Sequence, residues 1–237
     1  MKQTKPSFKW RHFEPTIILL CVRWYCRYQL SYRAVEEMMR ERGLDVDRST
    51  VFRWVQRYAP EINKRVRQHL KISGASYRVD EAYIKVGKTC KYLYRAVDKE
   101  GQTIEFMFSA KRDVCAAKRF FKKLMRAEHR RPPFSISVDK NAAYPEAFST
   151  SQAEKIVPQD CQFRRVKYLN NVIEQDRRFI KKKVRASQCF KRFHTAERTL
   201  EGMEAINMIR KGQVKRLAGS DAQGQAKFVA SLFGVAA

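Results

Sequence analysis

Apolar residues in the first sixty positions recur at helical spacing, and from about residue 77 they fall into short β-prone runs, so the chain predicts a helical segment followed by an α/β segment. Residues 16–29 predict a helix of mixed apolar and basic faces. Ser31 is placed to cap a second helix over 32–42, with Val35 and Met38-Met39 on successive turns, and Gly43 stops it where a left-handed residue is wanted. After an Asp45-Val46-Asp47 turn, a third helix over about 48–58 ends at Pro60. Its Val51, Trp54, Val55 and Tyr58 form a packing stripe, and Ser49, Arg53, Gln56 and Arg57 point away from it. Three short helices with a Gly-containing turn match the helix-turn-helix arrangement. The outward set suits a face that reads the major groove; an ordinary amphipathic helix with solvated arginines has the same pattern.

Residues 61–76 read as a partly helical connector with Gly74 near its end. Tyr77–Val86, Lys91–Val97 and Thr103–Phe108 are strand-like, parted by Gly87-Lys88 and by Asp98-Lys99-Glu100-Gly101, turns that favour consecutive antiparallel strands. A helix from Asp113 to Arg126 follows, then a strand over Phe134–Val138, a helical turn around Tyr144–Phe148 and a strand near Gln162–Val166. Helices over about 172–185 and 194–210 complete the pattern, and the last 25 or so residues carry none. The expected class is α/β, with a mixed five-stranded sheet flanked by helices in the element order of a ribonuclease-H-like domain, preceded by the all-α helix-turn-helix domain. The expected domains are 1–60 (helix-turn-helix), 61–76 (connector), 77–190 (catalytic core) and 191–237 (C-terminal helix and tail).

Charge narrows the partner. Lys and Arg number 50 against 24 acids, a net charge of +26 in 237 residues, which points to a polyanion, nucleic acid first and an anionic membrane surface second. No apolar run approaches the ~20 residues that span a bilayer. Six scattered cysteines without a CxxC pair, and four histidines that cluster neither with them nor with each other, disfavour structural zinc and fit buried or semi-buried free thiols in a reducing cytoplasm.

So few acids in so basic a chain invite attention to their placement. Asp80 lies on the first strand, Asp139 at the C-terminal end of the Phe134–Val138 strand, and Glu174 in the first turn of the long helix, with 34 residues between the last two. Two-metal phosphoryl transfer requires carboxylates that converge on one point. Along the helix, Glu174, Arg178, Lys181 and Arg185 share one face beside an Ile173, Ile180, Val184 packing stripe, which suits a metal site opening onto a phosphate backbone; Glu174–Arg178 salt bridging on a solvated helix fits the same spacing. Strand alternation sends Glu81 to the face opposite Asp80, as a supporting or structural residue. Asp98, Asp113, Glu105 and Glu146 read as turn, cap or surface residues. Lys140 and Asn141 are placed either to touch DNA or to order Asp139.

The segments SYRAVEEMMRERGLDVDRSTVFRWV, VDEAYIKV, YLYRAVDKEGQTIEF, AAKRFFKKL, FSISVDKNAAYP, YLNNVIEQD and MIRKGQ resemble those of the Asp-Asp-Glu (DDE) transposases of bacterial insertion-sequence family six, the IS twenty-six group, over roughly residues 8–213. The resemblance implies that Asp80, Asp139 and Glu174 hold two Mg²⁺ ions, with Mn²⁺ able to substitute, and that Lys181 contacts DNA near the reacting phosphate. It also implies nicking that frees a 3′-OH, strand transfer and a replicative, cointegrate-forming outcome. Arg177, Cys90 and Ala82 depart from the His, Trp and Thr common in relatives. Double-stranded DNA is the implied partner, as terminal inverted repeats and target, bound by a homodimer or larger assembly in the bacterial cytoplasm, at the nucleoid and away from membranes. The DNA contacts expected are Ser49, Arg53, Gln56, Arg57, Lys140, Arg178, Lys181 and Arg185. A helix-turn-helix regulator without catalysis is the alternative, and a ribonuclease-H-type nuclease stands behind it.

Overall fold

The computed structural model describes residue 8, residues 12–166, the backbone of 171–186 with its side chains from 178 to 185, and residues 190–235. The chain divides into two compact units, one running up to Val66 and resuming at Arg198, the other spanning Arg67–Glu197.

The first unit is helical. Helices α1 (Pro15–Arg27), α2 (Tyr32–Arg40) and α3 (Arg48–Val66) are each started or stopped by a local signal. The Ser31 side chain accepts from Ala34 N–H at 3.0 Å to cap α2. Gly43, at φ +72°, ends the turn after α2 in a conformation that a Cβ disfavours. Asp47 accepts from Ser49 N–H at 2.7 Å at the start of α3. Val51, Trp54, Val55 and Tyr58 are buried as the spacing predicts.

Three expectations are corrected. Helix α3 does not end at Pro60 but continues to Val66, so the helical part of the connector is its direct extension: Ala59, Ile62 and Val66 extend the buried stripe, and that packing outweighs the hydrogen bond the proline cannot donate. Residues from Arg198 group with the N-terminal helices instead of forming a separate tail. The unpatterned C-terminus contains helix α8 (Ala222–Ser231), capped by Asp221, whose side chain accepts from Gly224 N–H at 2.7 Å.

The second unit opens with one 3-10 turn (Arg67–His69) and carries the sheet: β1 (Ser76–Val86), β2 (Thr89–Val97), β3 (Thr103–Ser109), β4 (Ser135–Val138) and β5 (Gln162–Arg165), in the order β3-β2-β1-β4-β5. The first three form an antiparallel meander; β4 runs parallel to β1 and β5 parallel to β4. This is the mixed five-stranded arrangement expected of a ribonuclease-H-like core. Helices α4 (Val114–Leu124) and α5 (Ala143–Ala153) cover one face, where Tyr77, Val79, Tyr94, Ala96, Ile136 and Val138 pack on Phe120, Phe121, Tyr144 and Phe148. Helix α5 is longer than the turn expected around Tyr144–Phe148. Helix α6 (Asn171–Ala186) packs against β1, with Ile180 and Val184 buried. Helix α7 (Phe193–Arg210) contains the boundary between the two units.

Asp98 and Asp113 take the turn and cap roles expected. Asp98 accepts from Gln102 N–H at 2.8 Å, and Asp113 from Ala116 N–H at 2.8 Å. Glu105 is no surface residue: it is buried, bound by both terminal nitrogens of Arg67 at 2.6 and 2.7 Å, with Lys123 at 3.5 Å. Among the described cysteines, Cys21, Cys26 and Cys161 are buried, but Cys90 and Cys115 are exposed, contrary to the expectation; Cys189 lies outside the described residues.

Candidate active site

Strand register brings the first two acids together. β1 and β4 are parallel and pair Val79 with Val138, so Asp80 on β1 and Asp139, the residue after β4, come next along the two chains. Val79 packs into the core under α4 and α5, so alternation turns Asp80 to the other face of the sheet, where α6 lies against β1. Arg95, 1% exposed, is the cross-strand partner of Asp80 in the β1–β2 register, which sets a buried positive charge beside it on that face. Glu174 falls in the first turn of α6; its side chain lies outside the described residues.

One oxygen each from Asp80, Glu81 and Asp139 lies within 4.8 Å of the others, the one such acidic group among the described residues. Asp80 and Glu81 are buried, while the Asp139 side chain is 30% exposed, so the cluster opens at Asp139. Sequence reasoning kept Glu81 apart because alternation sends it to the opposite face. Asp139 follows the last residue of β4, where no strand separates the two faces, and carboxylates from both sides approach it there.

Asn141 and Arg112 complete the cluster. The Asn141 N–H donates to Asp139 Oδ1 at 3.0 Å and its side-chain amide donates to Glu81 Oε1 at 2.9 Å. Of the two roles open for Asn141, the structure shows the ordering one. Arg112, in the loop before α4, lies 3.5 Å from both Glu81 and Asp139 and donates to the Tyr83 hydroxyl at 2.9 Å. Nothing in its spacing singles it out; only the folded loop brings it to the acids. Burial raises the Glu81 pKa above the ordinary carboxylate value, and the Asp139 charge adds to the rise against the pull of Arg112 and Asn141. Partial burial works against the Arg112 cation, yet Glu81, Tyr83 and Asp139 together hold its pKa above the usual value. The carboxylate oxygens that meet at the partly exposed Asp139 are hard donors of the kind that suit a divalent metal ion.

The expected DNA contacts divide. On α6, Arg178 and Arg185 are exposed and Lys181 half-buried, beside the buried Ile180 and Val184. Lys140 is exposed next to Asp139. On α3, Ser49, Arg53 and Arg57 are exposed, but Gln56 is buried and donates to Thr199 Oγ1 at 2.9 Å. The periodicity of α3 alone could not reveal that α7 covers this part of it, and Gln56 is withdrawn as an outward contact. The same packing brings Arg198 beside Arg53 and Arg57 at the rim of an open pocket that also includes Phe52 and Pro60, a basic contribution the sequence reading missed.

A protein-family model described as a DDE domain matches residues 74–213. The transposase of the insertion sequence-like element IS431mec of Staphylococcus aureus is 38% identical over 205 residues, covering 86% of this chain and 88% of that protein. The transposase of insertion sequence IS257 in transposon Tn4003, also from Staphylococcus aureus, matches with the same identity and coverage. Among solved structures, the HTLV-2 integrase catalytic core domain in complex with magnesium (trimeric form) aligns with a TM-score of 0.42 and 13% identity, over 56% of this chain and 84% of that one.

Proposed function

We propose, for a chain that belongs to the DDE transposases of insertion sequences, that Asp80, Asp139 and Glu174 hold divalent metal and that this site nicks the element's ends and joins them to target DNA. The observation that carries this reading is the convergence of Asp80 on β1 with Asp139 just beyond the end of the adjacent parallel β4, with the helix bearing Glu174 packed against β1. When bound, a pair of Mg²⁺ ions supplies Lewis-acid activation of the attacking oxygen and charge stabilisation of the leaving one. Lys181, Arg178 and Arg185, one face of α6 outside its packed stripe, hold the phosphate backbone near the acids, and Lys140 adds a cation beside Asp139. The outcome is a free 3′-OH at the element's end, its direct transfer to a target phosphodiester, and a cointegrate after host replication.

Helices α2 and α3, with the Gly43 turn between them, act as a helix-turn-helix that binds the terminal inverted repeats through Ser49, Arg53 and Arg57, joined by Arg198. Bringing two ends together calls for a homodimer or a larger assembly on DNA. No described helix is long and apolar enough to cross a membrane, and the site of action we propose is the bacterial cytoplasm, at the nucleoid.

The test is strand transfer in vitro with a labelled duplex carrying the element's own end, a supercoiled target and Mg²⁺. Wild type should give joined product and Asp139→Asn none, with both binding the duplex. If neither protein yields product while both bind, the chain works as a DNA-binding regulator and the catalytic reading falls.

A further inference from the structure

We infer that Glu81 and Asn141 form a clamp that positions Asp139, with Glu81 acting through Asn141 and not as a metal ligand. The inference rests on the metal site proposed above.

Asn141 commits its backbone N–H and both ends of its side chain to neighbours. The N–H donates to Asp139 Oδ1 (3.0 Å), the amide nitrogen donates to Glu81 Oε1 (2.9 Å), and the amide oxygen accepts from Ala143 N–H (3.1 Å) at the start of α5. Asp139 is thereby tied to β1 and to α5, although it stands just beyond β4 in an otherwise irregular segment. Oδ1 is engaged, and Oδ2 faces Arg112 at 3.5 Å. Glu81 is the fixed end of the clamp: it sits on β1, is 2% exposed, and belongs by alternation to the face that packs under α4 and α5. Arg112, 3.5 Å from Glu81 as well, offsets part of the charge of the two acids. Groups that orient a metal-binding carboxylate without touching the ion commonly govern affinity, by about 10–100-fold on removal.

Glu81 also has an oxygen within 4.8 Å of both Asp80 and Asp139, so the test must separate a clamp from a ligand. Mn²⁺ binding to the full chain, alone and with a duplex carrying the element's end, is read from the paramagnetic resonance signal of free Mn²⁺. Glu81→Gln keeps the acceptor for Asn141 and should bind Mn²⁺ close to wild type. Glu81→Ala and Asn141→Ala should each weaken binding by about 10–100-fold, and the double variant should be no weaker than either single, as one shared clamp requires. Glu81→Gln as defective as Asp80→Asn would make Glu81 a ligand and overturn the clamp. Glu81→Ala at wild-type affinity would reduce Glu81 to packing and overturn it too. If thermal melts show that Glu81→Ala does not fold, Asn141→Ala decides, and wild-type affinity there overturns the clamp. Loss of Mn²⁺ binding in Asp80→Asn alone leaves the metal site standing without the clamp, whereas no binding by wild type overturns the site and the clamp together.

Discussion

At the residue scale, neighbours decide what each ionisable group can do. Asp80, Glu81 and Asp139 all lie in one cluster, yet their surroundings differ: a buried arginine across the strand from Asp80, an amide and a guanidinium on Glu81, and partial solvent access at Asp139. A second buried group shows the same dependence. His129 is 5% exposed, and burial, reinforced by the charge of Arg67, lowers its pKa. The native state therefore favours neutral imidazole, while the unfolded chain takes up its proton as the pH drops below about 6.5. The contribution is complete above that value and is lost as the pH falls through the folded-state pKa. In thermal melts between about pH 6.5 and pH 5, wild type should lose more of its midpoint than His129→Gln. Equal losses would remove His129 from the acid response.

At the element scale, packing overrides two local signals. Pro60 reads as a helix end, but α3 runs on to Val66 because its buried stripe continues. Gly202 sits inside α7, where glycine is a poor helix former. A Cβ there would collide with the Ala59 side chain of α3 and approach Cys26 Sγ of α1 to 2.9 Å, so the glycine is what lets three helices meet closely. Gly202→Ala should therefore destabilise the protein by about 1–3 kcal/mol, despite a helix-propensity gain of about 1 kcal/mol. A melting midpoint lowered by several degrees is the expected result, and an unchanged or raised midpoint would show that the contact relaxes at little cost.

At the scale of the whole molecule, a net charge of +26 sets how DNA binding responds to salt. If six to ten phosphates are neutralised, affinity for the element's end should fall by about 10³–10⁵ between 50 and 200 mM salt. Arg53→Ala should weaken binding in a gel shift at moderate salt, and unchanged affinity would remove Arg53 from the interface. Much of this organisation was legible in the sequence. The three N-terminal helices, the five strands and the buried Ile180 and Val184 of the α6 stripe follow from periodicity, caps and turns, which act within a few residues of each other; Ile173 of that stripe lies outside the described side chains. What covers each surface depends on segments far away in the chain. The burial of Gln56 by a helix some 140 positions later, the grouping of the C-terminal helix with the N-terminal ones, the ion pair of Glu105 with Arg67, and the meeting of Glu81, Arg112 and Asn141 at Asp139 were set by tertiary structure. Local sequence pattern specifies which face of an element is apolar and which residues can cap it; only the folded chain specifies the neighbour that each polar group will find.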